Sequence, residues 1–104
     1  MARFEMFEGG AGGTGGATAQ ADILFELGMM YASGRTVPTD LIAAHKWFNL
    51  AAQKGHADGA RMRREIAVEM TDSEIGQAQR AARAWLKAHP DAAAPEAPRL
   101  RAAA

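Results

Sequence analysis

The sequence predicts an all-α chain in which four amphipathic helices pack as two consecutive antiparallel pairs, a short α/α stack. Three observations carry that prediction. Apolar residues recur at i, i+3, i+4 and i+7 in successive segments, which is the period of one helix face. Glycine and proline fall between those segments, where they close one helix and open the next. Strand-like alternation is confined to a hint in RFEMF, residues 3–7. Helices joined by loops of about two to six residues pack most simply as antiparallel neighbours.

With 104 residues the chain is at most one domain. Residues 1–16, which include the run GGAGGTGG, and residues 90–104, PDAAAPEAPRLRAAA, are expected to be flexible. Neither stretch spaces enough apolar side chains to offset the entropy of ordering it. The helical domain is therefore expected over 17–89. That leaves about 70 residues for the core, a size at which a single core is marginally stable.

Taken in order, the first helix is expected over about 17–33, with Leu24, Leu27, Gly28 and Tyr31 on one face. Gly34 is placed for the left-handed residue that ends many helices, and Pro38 suits the first turn of the next. The second helix, about 38–54, carries Ala44, Trp47, Phe48 and Ala51 as its stripe. Asp40 lies toward its positive end, Lys54 in its last turn, and Gly55 stops it. The third, about 57–70, has a narrow strip of Met62, Ile66 and Met70 among charged neighbours. TDSE at 71–74 then spells a capping box, opening a fourth helix that runs to about Ala88. Its apolar side holds Ile75, Ala78, Ala82, Trp85 and Leu86, its basic side Arg80, Arg83 and Lys87, and Pro90 prevents extension.

The chain also repeats itself. AAHKW at 43–47 returns as AARAW at 81–85, and Ala21-Asp22 returns as Ala57-Asp58. A helix pair recurring at such a period is the signature of a helical solenoid. Small residues one turn before a tryptophan admit a neighbouring helix, and the indole is expected to fill the space between pairs. The stretch LGMMYASGRTVPTDLIAAHKWFNLAAQKGHADGA resembles a Sel-1-like repeat, a relative of the tetratricopeptide repeat. The matching positions are Leu27, Gly28, Tyr31, Gly34, Val37, Asp40, Ala44, Trp47, Ala51, Ala52 and Gly55, with Thr36 where the family usually has a second glycine. Residues 57–89 match weakly: Arg63 and Arg64 stand near the place of Leu-Gly, while Trp85 keeps the tryptophan position. They read as a degenerate, terminating repeat, whose stacking residues are replaced by polar ones. The resemblance implies a bacterial α/α solenoid fragment with a protein-interaction role and no enzymatic activity.

Composition narrows the remaining classes. Twelve basic and twelve acidic side chains give zero formal net charge. The densest basic spot, RMRR at 61–64, reads as a solvated helix face, so no nucleic-acid partner is expected. There are no cysteines for disulfides or thiolate metal sites. MARFEMFEGG lacks the apolar centre of a secretory signal, and no segment is long enough to span a membrane, so a soluble cytoplasmic protein is expected.

No catalytic, cofactor or metal site is expected. Gly10, Gly12 and Gly15 satisfy G-x-G-x-x-G, but a polyglycine run does so by default and no second strand follows. His45, His56 and His89 are not spaced as helical metal ligands and read as surface or half-buried. Glu65, Glu69, Asp72 and Glu74 lie on a polar helix end without an enclosing apolar pocket. Tyr31, Trp47, Phe48 and Trp85 read as core. An interaction face is expected from exposed positions such as Met29, Met30, His45, Lys46 and Asn49, with Met29 and Met30 the adaptable apolar ones. Phe4, Met6 and Phe7, followed by a glycine tether, are expected either to cover an open end of the stack or to reach a partner. The expected function is a scaffold or adaptor, monomeric or weakly dimeric, that binds another protein. The alternative is a structural accessory subunit of a larger bacterial complex.

Overall fold

The Thr18 hydroxyl accepts the Ala21 amide at 3.0 Å and caps the first helix, α1, Ala19–Ser33. The computed structural model describes residues 18–90, so what was expected of residues 1–16 and of the tail beyond Pro90 lies outside the described residues. Three further helices follow: α2, Leu41–Gln53; α3, Ala57–Ala67; and α4, Asp72–Ala88. The described residues contain no strand, and the fold is all-α.

Each helix begins on a side-chain cap, which satisfies an amide the helix itself leaves orphaned. For α2 the cap corrects the expected start. Asp40 precedes the helix, taking the Ala43 amide at 3.0 Å on Oδ1 while its own N–H donates to the Tyr31 carbonyl at 3.0 Å. Asp40 itself is extended, at φ −146° and ψ 99°, and Pro38 lies outside the helix. At α4 the expected capping box is complete, with Thr71 N–H to Glu74 Oε1 at 2.9 Å and Glu74 N–H to Thr71 Oγ1 at 3.1 Å.

Helix ends are equally specific. Gly34 sits at φ 71°, and a side chain there would run into the Thr39 hydroxyl. Gly55, at φ 92°, closes α2: His56 N–H bonds the Ala51 carbonyl at 3.1 Å and Gly55 N–H bonds that of Ala52 at 3.0 Å. This is a Schellman motif, and its left-handed residue explains why a glycine stands at position 55. α3 ends three residues earlier than its periodicity predicts. Tight bonds from Glu69 to Ile66 and from Met70 to Ala67 turn the chain at 68–70 and return Met70 to the interior.

The core is centred on α2, which contributes Ala44, Phe48, Leu50 and Ala51, all essentially inaccessible. It touches each of the other three helices, and α1 also meets α3. Gly28 of α1 lies flat against the Phe48 ring, where a methyl group would come within 2.5 Å of two ring carbons. Gly59 of α3 repeats that close approach against Ala51 and the Phe48 carbonyl. The backbone of α4 comes close to α2 and hardly at all to α3, with Ala78 and Ala82 as its buried residues. Helix α2 therefore packs against both α1 and α3, and α4 turns its small-residue face to α2 instead of pairing chiefly with α3.

Candidate interaction surface

Two departures from the helical patterns define the surface. On α1, Leu24 and Gly28 are buried as expected, but Leu27 is only half-buried. It lies instead with Ile23 and Met30, at i, i+4 and i+7, along one open groove. These three line the groove, of about 400 Å³, with Glu26, Met29, Ser33, Arg35 and Thr36. Ile23 is 60% exposed, a large aliphatic side chain left largely in water. Met29 and Met30 are half-buried rather than exposed, and Met29 also packs on the core.

His45 is the clearest correction. Expected on an exposed face, it is 3% accessible, and its Nδ1 has no hydrogen-bond partner. Burial lowers its pKa below the ordinary histidine value, and the nearby Arg63 guanidinium lowers it further. Arg63 itself is not a fully solvated residue of RMRR: its Nη1 donates to Asn49 Oδ1 at 2.7 Å, tying α3 to α2. Arg61 stays on the surface, paired with Asp58 at 3.2 Å and Glu65 at 3.1 Å. Asn49 thus serves helix packing, and Lys46 lies over the Trp47 ring at 4.0 Å, its pKa lowered by partial burial.

The two indoles meet each other. Trp47 and Trp85 are half-buried in one seam between α2 and α4, edge to face, with centroids 5.9 Å apart and planes at 79°. Leu24, Leu50, Ala51 and Ala82 form the floor of that seam. His89 stacks on the outer face of Trp85 at 4.2 Å.

His56 has a role that sequence reasoning missed. Its Nδ1 accepts the Gly59 amide at 3.0 Å and caps α3, while Nε2 faces Asp22 of α1 at 3.3 Å. One neutral tautomer, protonated on Nε2, satisfies both bonds. Phe25 stacks on the ring at 4.4 Å. Histidine is an uncommon cap, so residue type gave no signal; the clue available was its place one residue after a helix-ending glycine.

The acidic cleft between α2 and α4 offers less. Asp40, Glu69 and Glu74 line it, but Asp40 and Glu74 spend carboxylate oxygens on helix caps. A third groove, on α4, is bordered by Arg80, Arg83 and Lys87. Among the described residues no three histidine or acidic side chains converge on a point, and no helix is long and apolar enough to cross a membrane. Gly10, Gly12 and Gly15, and likewise Phe4, Met6 and Phe7, lie outside the described residues. No protein-family model, curated protein or solved structure matches this chain.

Proposed function

We propose that residues 17–89 form a non-enzymatic interaction module of the Sel-1-like kind, an adaptor that works in the bacterial cytoplasm. In this reading α1 and α2 are one repeat unit, and α3 and α4 are a degenerate unit ending a short solenoid. The observation that carries the reading is the apolar groove on α1, which is open to solvent and lined by the largely exposed Ile23 and the half-buried Leu27 and Met30. An apolar groove rimmed by polar side chains suits the docking of a small apolar segment, and methionine lining adapts to varied partners.

The test is affinity purification of the full chain beside an Ile23→Glu/Met30→Glu variant, with helicity and melting temperature measured in parallel. Loss of a reproducible partner from a variant that melts normally supports the reading. Identical recovery removes the groove as the binding face.

The half-buried indoles favour a second reading, an accessory subunit whose Trp47–Trp85 seam is covered by a larger assembly. Light scattering on the purified chain separates the two. An adaptor is monomeric, or at most weakly dimeric, and stable alone, whereas an accessory subunit self-associates or melts early.

A further inference from the structure

The groove on α1 lies within reach of the chain's own amino-terminal segment. We propose that residues 3–8, RFEMFE, dock there in cis, with Phe4 and Phe7 against Ile23, Leu27 and Met30. The inference rests on reading the groove as a docking site, and it names the ligand nearest to hand.

Reach is the first argument. Ten residues, 8–17, separate Phe7 from Thr18 at the head of α1. A glycine-rich tether of that length has a root-mean-square span of about 16–19 Å. Leu27 stands nine residues beyond Thr18, about 14 Å along the helix. Ser33, the last helical residue of the lining, is about 22 Å along the helix, still inside the fully extended limit of roughly 33–36 Å. Matching tether length to span gives the highest effective concentration, in the millimolar range for short flexible linkers. Even a weak contact is then well populated.

Chemistry is the second. The groove presents apolar side chains between one carboxylate, Glu26, and one guanidinium, Arg35. The segment presents Phe4, Met6 and Phe7 together with Arg3, Glu5 and Glu8. Each charge of the lining therefore meets an opposite charge available in the segment. The tether itself, GGAGGTGGA, holds no large apolar side chain that would compete for the site.

The chain has no cysteine, so one can be introduced for a spin label without background. Thr36→Cys carries a nitroxide at the groove rim, and ¹⁵N spectra of the full chain read the amides of residues 3–8. Docking in cis costs these amides more than half their intensity relative to the reduced label, and Phe4→Ser/Phe7→Ser restores it. The inference is overturned if residues 3–8 broaden no more than the tether glycines. It is equally overturned if the broadening passes in full to an unlabelled ¹⁵N chain mixed with labelled ¹⁴N chain, since the occupant is then a second copy. Where cis broadening is absent but Ile23→Glu/Met30→Glu still abolishes partner capture, only the intramolecular occupant fails. Where both are negative, the docking site fails with it.

Discussion

The two halves of the molecule are capped alike and packed differently. α1 and α2 are locked by a closed turn, in which Asp40 bonds Tyr31 and Gly34 takes a left-handed conformation. They then meet with no side chain between Gly28 and the Phe48 ring. α3 and α4 also begin on side-chain caps, but their backbones diverge. The turn between them leaves Val68 85% exposed, and α4 finds its contacts on α2. Local helix signals are therefore equal in the two halves. The difference is tertiary: a glycine opposite an aromatic ring fixes one pair, and a row of alanines places the other helix.

The most damaging way to break the comparison is to remove its common ring. Phe48 is fully buried, touches Gly28 and Phe25, and lies beneath Gly59. Phe48→Ala should cost about 3–5 kcal/mol. For a domain of this size that approaches total stability. The expected result is loss of the cooperative urea transition followed by circular dichroism. A variant that keeps a cooperative midpoint within about 1 kcal/mol of the parent would show that α2 is not the hub.

A sharper contrast uses one substitution in both halves. At Gly28 the new methyl meets Phe48 Cδ1 and Cε1 at 2.5 Å, and that ring is fully buried. Gly28→Ala should destabilise by about 1–3 kcal/mol, despite the better helix propensity of alanine. At Gly76 of α4 the methyl meets only Arg80 Nη1, the far end of a flexible side chain, at 3.3 Å. Gly76→Ala should therefore stabilise by up to about 1 kcal/mol. Opposite signs in paired chemical melts uphold the difference between halves. Equal losses would place a tight approach in α4 as well.

These positions also show what the sequence makes legible. Gly28 was readable as a member of the apolar stripe of its helix, and the packing adds that its missing side chain admits the Phe48 ring. Gly34, Gly55 and the Thr71–Glu74 box were readable because caps are short-range chemistry. Gly59 was not, since its neighbour is Ala51 on another helix and nothing within its own helix marks the contact. His45 was misread for the same reason. It borders the stripe of α2, and a helix that receives α1, α3 and α4 buries more of its circumference than one stripe. The groove was hidden in a leucine assigned to the inner face: Leu24 and Leu27 both fit the period, and only packing decides which turns outward.

The tryptophans test the second half at smaller scale. Both indoles lie in the α2–α4 seam, and an edge-to-face pair is worth about 0.5–1.5 kcal/mol beyond its buried area. A double-mutant cycle with Trp47→Leu and Trp85→Leu should return a coupling of that size. Additive losses would mean that each indole packs on its own surroundings and that the echo of Ala-Ala-x-x-Trp does not build one joint.

The smallest expected effect concerns acid. His45 is held neutral because its ring is buried on α2, and Arg63 of α3, the charged group acting on it, opposes a second positive charge. Its folded pKa lies below the unfolded value of about 6.5. Between those two values the unfolded chain binds more protons, so stability rises with pH. The contribution is complete above about pH 6.5 and is lost as pH falls toward the folded value. Urea midpoints at about pH 7.5 and pH 5.5 should therefore fall on acidification in the parent and fall less in His45→Phe. Carboxylates contribute equally to both proteins, so the difference isolates the imidazole. At the higher pH the variant should lie within about 1 kcal/mol of the parent, because the Nδ1 it removes makes no hydrogen bond. Identical acid sensitivity in the two proteins would mean that His45 opens to water readily. The contact between Arg63 and Asn49 would then hold α3 to α2 more loosely than its 2.7 Å geometry implies.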